Sequence, residues 1–260
     1  MSRGQETGRP DDPRGATPGV IYGVGVGPGD PGLLTVRAVD VLREAGAVLA
    51  PAPRRGGDSL ALSIARPHLP EGCDVHTAHF PMTEDPAVLR SAWEEAAATL
   101  LRLAAADRSA AFITLGDAML YSTWSYLLAA LRRLSPGADV RTVPGVTAMA
   151  ACAAAVGRPL AEGREPLLVW PDEPPEDAGA LLQWAPNVVF MKSGRHLDAL
   201  ADVAERAGAD VVAVRRASQA GESVTVDLRA WAGDREYFTT VLMHRAAGAP
   251  PAAPSEEARS

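Results

Sequence analysis

The sequence predicts an α/β protein made of two successive α/β halves. Two observations carry this. Short runs rich in Val, Ile and Ala alternate with runs whose apolar residues recur at helical spacing. Three of the short runs also end in glycine-bearing turns that open a helix. Alternation of this kind gives mostly parallel sheets with helices on both faces. The chain's 260 residues suffice for one or two domains with a sizeable core.

The elements follow in order. Residues 20–27 read as a strand, and 33–45 as a helix with Leu34, Ala38, Val41, Leu42 and Ala45 at helical spacing. Residues 47–50 are a short strand, 59–66 a helix, 74–78 a strand and 86–106 a long helix. Then come a buried strand at 110–115, a helix at 121–133 and a strand at 140–143. The boundary is expected near Val143-Pro144-Gly145, with an N-terminal domain over 19–143 and a C-terminal one over 144–246. The second half begins with a small-residue helix at 147–156. Strands at 166–170, 187–191 and 210–214 flank a clear helix at 197–207. Residues 224–227 and 237–244 read as closing antiparallel strands. The segments 1–18 and 247–260 are rich in Gly, Pro and charge, lack periodicity and read as disordered tails.

Composition excludes several classes. Hydrophobic residues make up 47% and charged residues 22%, as in soluble globular proteins. The apolar run 110–131 is broken by Gly116-Asp117 and carries hydroxyls, so it reads as a strand and helix, and no membrane partner is expected. A net charge of −7 without clustered cations argues against nucleic acid. Lys192 is the only lysine; every other cationic side chain, histidine aside, is arginine. Cys73 and Cys152 are too few and too far apart for a disulfide framework or a zinc site. With no apolar signal core at the start, a cytoplasmic setting is expected.

The three glycine turns carry the chemistry. The first is Gly23-Val24-Gly25-Val26-Gly27-Pro28-Gly29-Asp30-Pro31. Glycines there allow close backbone approach to a ligand, and Asp30 suits a cationic ligand or ligand hydroxyls. The spacing refuses Gly-x-Gly-x-x-Gly: counted from Gly23 the third glycine position holds Pro28, and counted from Gly25 it holds Asp30. A phosphate-binding Walker loop is excluded too, since Lys192-Ser193 follows Met191 rather than glycine. The second turn is Thr114-Leu115-Gly116-Asp117-Ala118-Met119-Leu120-Tyr121-Ser122-Thr123. Asp117 there is either a helix cap or a ligand contact. The third, Val143-Pro144-Gly145-Val146-Thr147-Ala148, opens a helix whose free N–H groups suit a carboxylate. His76 and His79, three apart on a strand, point to opposite faces, so no shared metal is expected.

In this order and at these intervals, the three turns resemble the tetrapyrrole (corrin/porphyrin) methylases over roughly residues 20–245. The segment His79-Phe80-Pro81-Met82-Thr83-Glu84-Asp85 is most similar to the precorrin-2 C(20)-methyltransferase branch. Gly157-Arg158-Pro159-Leu160-Ala161, Val189-Phe190-Met191-Lys192 and Arg216-Ala217-Ser218 add to the likeness. One position departs: Ala118 stands where the family usually has proline after Gly-Asp.

The resemblance implies two α/β domains with S-adenosyl-L-methionine in the cleft between them, S-adenosyl-L-homocysteine as product, and a homodimer. It implies cofactor contacts at Pro28, Gly116, Asp117, Ala118, Tyr121, Thr147, Ala148, Met191 and Ala217. It implies methylation of precorrin-2, or its cobalt form, at C-20 in corrin ring biosynthesis. A catalytically idle binding homologue and a methylase of another ring position are the alternatives. If a proton must be moved, Asp30 and Tyr121 are the candidates. The substrate carries many carboxylates, for which Arg37, Arg54, Arg55 and Arg66 are candidate partners. The protein itself needs no metal; any cobalt arrives with the substrate.

Overall fold

The structure is a computed structural model that describes residues 19–52, 54, 57–104 and 108–245. Both expected tails, and Arg55, lie outside the described residues. The chain divides into two compact units after Val146.

The first unit is a five-stranded, wholly parallel sheet. Its strands are β1 (Ile21–Gly25), β2 (Ala47–Ala52), β3 (Asp74–His79), β4 (Ala110–Thr114) and β5 (Val140–Val143), in the order β3-β2-β4-β1-β5. Alternate strand residues feed two cores. Tyr22, Val24, Val48, Ala111 and Ile113 pack with Ala38, Val41 and Ile64 of α1 (Val36–Glu44) and α2 (Leu60–Ala65). Ile21, Leu49 and Phe112 pack with Ala97, Leu100, Trp124 and Leu127 of α3 (Pro86–Leu103) and α4 (Trp124–Leu134). Helices therefore cover both faces, as parallel strands buried on both sides require.

Two helices start later than their hydrophobic pattern suggests. Pro31–Leu33 forms a short 3-10 turn capped by Asp30, and α1 begins only after Thr35, whose hydroxyl accepts from the Ala38 N–H at 3.1 Å. The helix expected from residue 121 begins at Trp124, because Tyr121 holds a left-handed φ of 49°. The hydrophobic spacing runs through both caps, so it gives the helix's face but not its first turn.

The second unit holds a mixed sheet. Its strands are β6 (Leu167–Pro171), β7 (Asn187–Met191), β8 (Ala209–Arg215), β9 (Ser223–Thr225) and β10 (Thr239–Arg245), in the order β6-β7-β10-β8-β9. β6 and β7 run parallel, β10 is antiparallel to both β7 and β8, and β9 is antiparallel to β8. The C-terminal ends of β6, β7 and β8 thus share one rim with the start of β10. On one face α6 (Ala178–Trp184) and α7 (Leu197–Ala207) bury Leu182, Leu197 and Leu200 against Val188, Phe190, Ala213 and Val241. α5 (Ala148–Val156) packs against β10. α6 has no counterpart in the sequence reading. It is seven residues long, contains Gly179 and follows a stretch rich in Pro, Asp and Glu, so a loop signal hides it.

Candidate functional site

In the sheet order, β1 lies between β4 and β5. The three glycine turns leave these three neighbouring strands at their C-terminal ends, so they emerge side by side on one rim. They are joined to one another. Gly27 and Gly116 exchange backbone hydrogen bonds of 3.1 and 2.7 Å, and the Val26 N–H donates to Thr114 O at 2.9 Å. Asp117 connects the second turn to the third: its Oδ2 accepts from the Gly145 N–H at 2.9 Å and its Oδ1 from the Met119 N–H at 2.8 Å.

The glycines serve different ends. A Cβ on Gly25 would lie 2.7 Å from Gly116 O and 2.8 Å from Gly145 N. A Cβ on Gly145 would lie 2.3 Å from Gly116 O. Gly23 faces the buried Trp124 indole, which a Cβ would meet at 1.9 Å. In the first turn, where room for a ligand is expected, Gly23 makes room for tryptophan and Gly25 for backbone, and Gly145 in the third turn also makes room for backbone. Gly116 is different. It holds φ at +70° and has nothing within 4 Å of where its Cβ would be, so its backbone faces open space.

One hydroxyl in the second turn has a structural duty, that of Ser122, while Thr123 serves through its carbonyl. Ser122 is buried, shares a 3.0 Å hydrogen bond with Thr114 and accepts from the Trp124 N–H at 3.1 Å. Thr123 O accepts from the Tyr126 and Leu127 N–H groups in the first turn of α4. Tyr121 is 44% exposed and holds a backbone conformation that bulky residues rarely adopt, the kind of strain that collects at functional sites. Ala118 is fully buried in the α3–α4 core. Asp30 Oδ1 accepts from the Gly32 N–H at 2.7 Å and caps its own turn. Pro28 and Asp30 both lie on this rim, Asp30 exposed.

The second unit supplies the other expected residues. Thr147 is the N-cap of α5, its hydroxyl accepting from the Ala150 N–H at 3.3 Å, and Ala148 opens the helix. Met191 closes β7, is nearly buried and pairs with Thr240. Ala217 is buried between Arg216 and Ser218, which hold φ at 49° and 60°. Left-handed residues other than glycine follow the ends of three strands here: Asp172 after β6, Lys192 after β7 and Arg216 after β8. Sequence reasoning missed this repeated strain, because nothing in the residue types announces it.

The remaining titratable groups make no second centre. His76 Nε2 lies 2.9 Å from Asp74 Oδ1, and that hydrogen bond is the main reason the Asp74 carboxyl titrates below its usual range. Burial pushes the Cys152 thiol up to about 11, which leaves it protonated and unreactive at neutral pH. Among the described residues no three His, Cys, Asp or Glu side chains gather to hold a metal, and no helix is long and apolar enough to cross a membrane.

Asp117→Ala is expected to leave the Met119 and Gly145 N–H groups without their acceptor. Stability should fall by about 1–3 kcal/mol, and S-adenosylhomocysteine affinity should fall with it as the second and third turns separate. Asp117→Asn should recover only part of both, since an amide has one acceptor oxygen for two donors. Thermal melts paired with calorimetric titration check this. Asp117 caps no helix, since α4 starts at Trp124, and a stability loss with unchanged affinity would leave it only the duty of tying the second turn to the third.

Comparisons with known proteins agree with this architecture. The family profile of the tetrapyrrole (corrin/porphyrin) methylases matches residues 20–230. The cobalt-precorrin-2 C(20)-methyltransferase of Salmonella typhimurium is 39% identical over 232 residues, covering 87% of this chain and 97% of that protein. Among solved structures, a cobalt-precorrin-4 methyltransferase of cobalamin biosynthesis superposes with a TM-score of 0.67 at 24% identity, covering 87% of this chain and 95% of that one. A uroporphyrin-III C-methyltransferase from Thermus thermophilus, complexed with S-adenosyl homocysteine, superposes at 0.59 with 24% identity, covering 85% and 96%. With a match across most of its length and a relative this similar, the chain belongs to the tetrapyrrole (corrin/porphyrin) methylases, a family of S-adenosylmethionine-dependent methyltransferases.

Proposed function

We propose that the protein methylates precorrin-2 at C-20 during corrin ring biosynthesis, acting on the cobalt-bearing ring. The observation that carries this is the 39% identity, over 87% of this chain, with a relative named for that reaction. The segment from His79 to Asp85 supports the same branch. Two free cysteines suit a cytoplasmic setting, and a homodimer is what the family resemblance implies.

The residues present suit S-adenosylmethionine. Gly116 leaves space open where a Cβ would stand, and the second turn from Gly116 through Ala118 to Tyr121 would receive the methionine and ribose end. Asp117 and the buried Ala118 set the shape of that turn. The nine-residue α5 presents first-turn N–H groups at Thr147 and Ala148, which suit a carboxylate. Pro28 lines the first turn, while Met191 and Ala217 serve the adenine side.

When bound, the cofactor supplies an electrophilic methyl group on a sulfonium. The chain's own residues therefore orient, desolvate and exclude water. A meso carbon of a conjugated tetrapyrrole is already electron-rich, so the demand for a base is small. Tyr121, exposed and with a left-handed backbone on the rim, is the first candidate to relay the proton released, and Asp30 the second.

The decisive experiment is incubation with labelled S-adenosylmethionine and precorrin-2, made with and without cobalt, followed by mass analysis. A single methyl at C-20 of the cobalt form is expected. Calorimetry should show S-adenosylhomocysteine binding with NAD and ATP silent; tight NAD binding without it would sink the reading.

A further inference from the structure

We propose that Lys192, assisted by Arg195, forms the subsite for a carboxylate arm of the tetrapyrrole; this rests on the substrate class proposed above. Lys192 is the only lysine in a chain that otherwise uses arginine. It stands one residue beyond the end of β7, with φ 60° and ψ 29°. A left-handed lysine persists only where its surroundings fix it. Here they do. The next residue, Ser193, is fully buried, and Gly194 is pressed so closely on the segment that leads into β10 that a Cβ would lie 1.9 Å from Glu236 O. The lysine therefore cannot relax by moving its neighbours.

The ammonium is also aimed. Lys192 Nζ lies 5.7 Å from the centroid of the Tyr237 ring, within the range of a cation–π contact. Among the described residues, no carboxylate pairs with Lys192 or with the exposed Arg195. The acids nearby face other groups. Glu236 Oε2 accepts from Arg216 Nε and Nη2 at 3.0 and 2.7 Å, and Asp234 Oδ2 from Arg215 Nη1 at 2.7 Å. Asp172 Oδ1 lies 3.5 Å from His196 Nε2. The rim thus keeps two cations without counter-charge in a protein of net charge −7. Such a spot draws an anion, and a lysine accepts a flexible carboxylate from many directions. Ser193 Oγ, fully buried and without a hydrogen-bond partner, marks the same segment as one whose polar groups are not all used internally.

The test uses uroporphyrin III, an octacarboxylate, as a binding probe read by fluorescence at low and high salt, beside methyl-transfer kinetics. Lys192→Gln should weaken porphyrin binding about tenfold, the size of one lost charge-assisted contact. It should also flatten the salt dependence. KM for the tetrapyrrole should rise with kcat nearly unchanged, S-adenosylhomocysteine affinity should hold, and Lys192→Arg should restore binding. Unchanged porphyrin affinity and salt slope would overturn the subsite. So would a loss shared equally by S-adenosylhomocysteine, which would assign Lys192 to the cofactor. A wild type that binds the porphyrin but leaves precorrin-2 unmethylated overturns the proposed reaction; a porphyrin defect in Lys192→Gln would then still support the subsite.

Discussion

Gly145→Ala is expected to abolish methyl transfer, lowering kcat/KM by at least about 100-fold, the scale of a misplacement near 1 Å in a site. The new methyl would sit 2.3 Å from Gly116 O and 2.9 Å from the carbonyl carbon and oxygen of Gly25. All three are backbone atoms in turns already tied by hydrogen bonds, so none can yield as a flexible side chain would. The turns must separate, and the Asp117–Gly145 bond of 2.9 Å breaks with them. Stability should drop by about 3 kcal/mol, at the upper end of overpacking costs. Gly137→Ala is the control, since that glycine has nothing within 4 Å of its Cβ position and no positive φ to lose. Circular dichroism melts, cofactor titration and turnover of both variants decide. A Gly145→Ala enzyme with ordinary kinetics would show that the three turns need not touch.

This result would also say where sequence reasoning reached its limit. The order of strands and helices in the first unit was legible, because Tyr22, Val24 and Ile113 alternate with Ile21 and Phe112, and α1 shows its face in Ala38, Val41 and Leu42. The turns were legible as neighbouring strand-to-helix turns through their glycines, proline and aspartate. The partners of those glycines were not. Gly23 faces a tryptophan about 100 positions later, and Gly25 faces a turn about 120 positions later. Such pairs are set by the strand order β4-β1-β5, which local periodicity does not encode. Likewise the partners of the Ser122 hydroxyl, Thr114 and the first N–H of α4, are set by the fold and not by its polarity. The left-handed Tyr121 and Lys192 were recognisable only once backbone angles were known.

The Trp124 indole is the clearest such long-range partner, and Gly23→Ala should be the most damaging single methyl in the first unit. Gly23 pairs with Phe112 on one side and Thr142 on the other. Lacking a side chain, it leaves a slot across the sheet. The Trp124 ring fills it, stacking on Phe112 at 6.0 Å between centroids and donating from Nε1 to Thr142 Oγ1 at 2.8 Å. A Cβ at residue 23 would sit 1.9 to 2.4 Å from three indole atoms, so the ring must leave. Its burial is complete, and losing a packed tryptophan costs about 3–5 kcal/mol. Trp124→Leu alone should cost a similar amount by opening a cavity. In the Gly23→Ala background the same change should cost at least about 1.5 kcal/mol less, because the two residues compete for one volume and contacting sites couple on this scale. Denaturant unfolding of the two single variants and the double variant measures this. Strict additivity of the two losses would mean that the indole does not occupy the slot over Gly23.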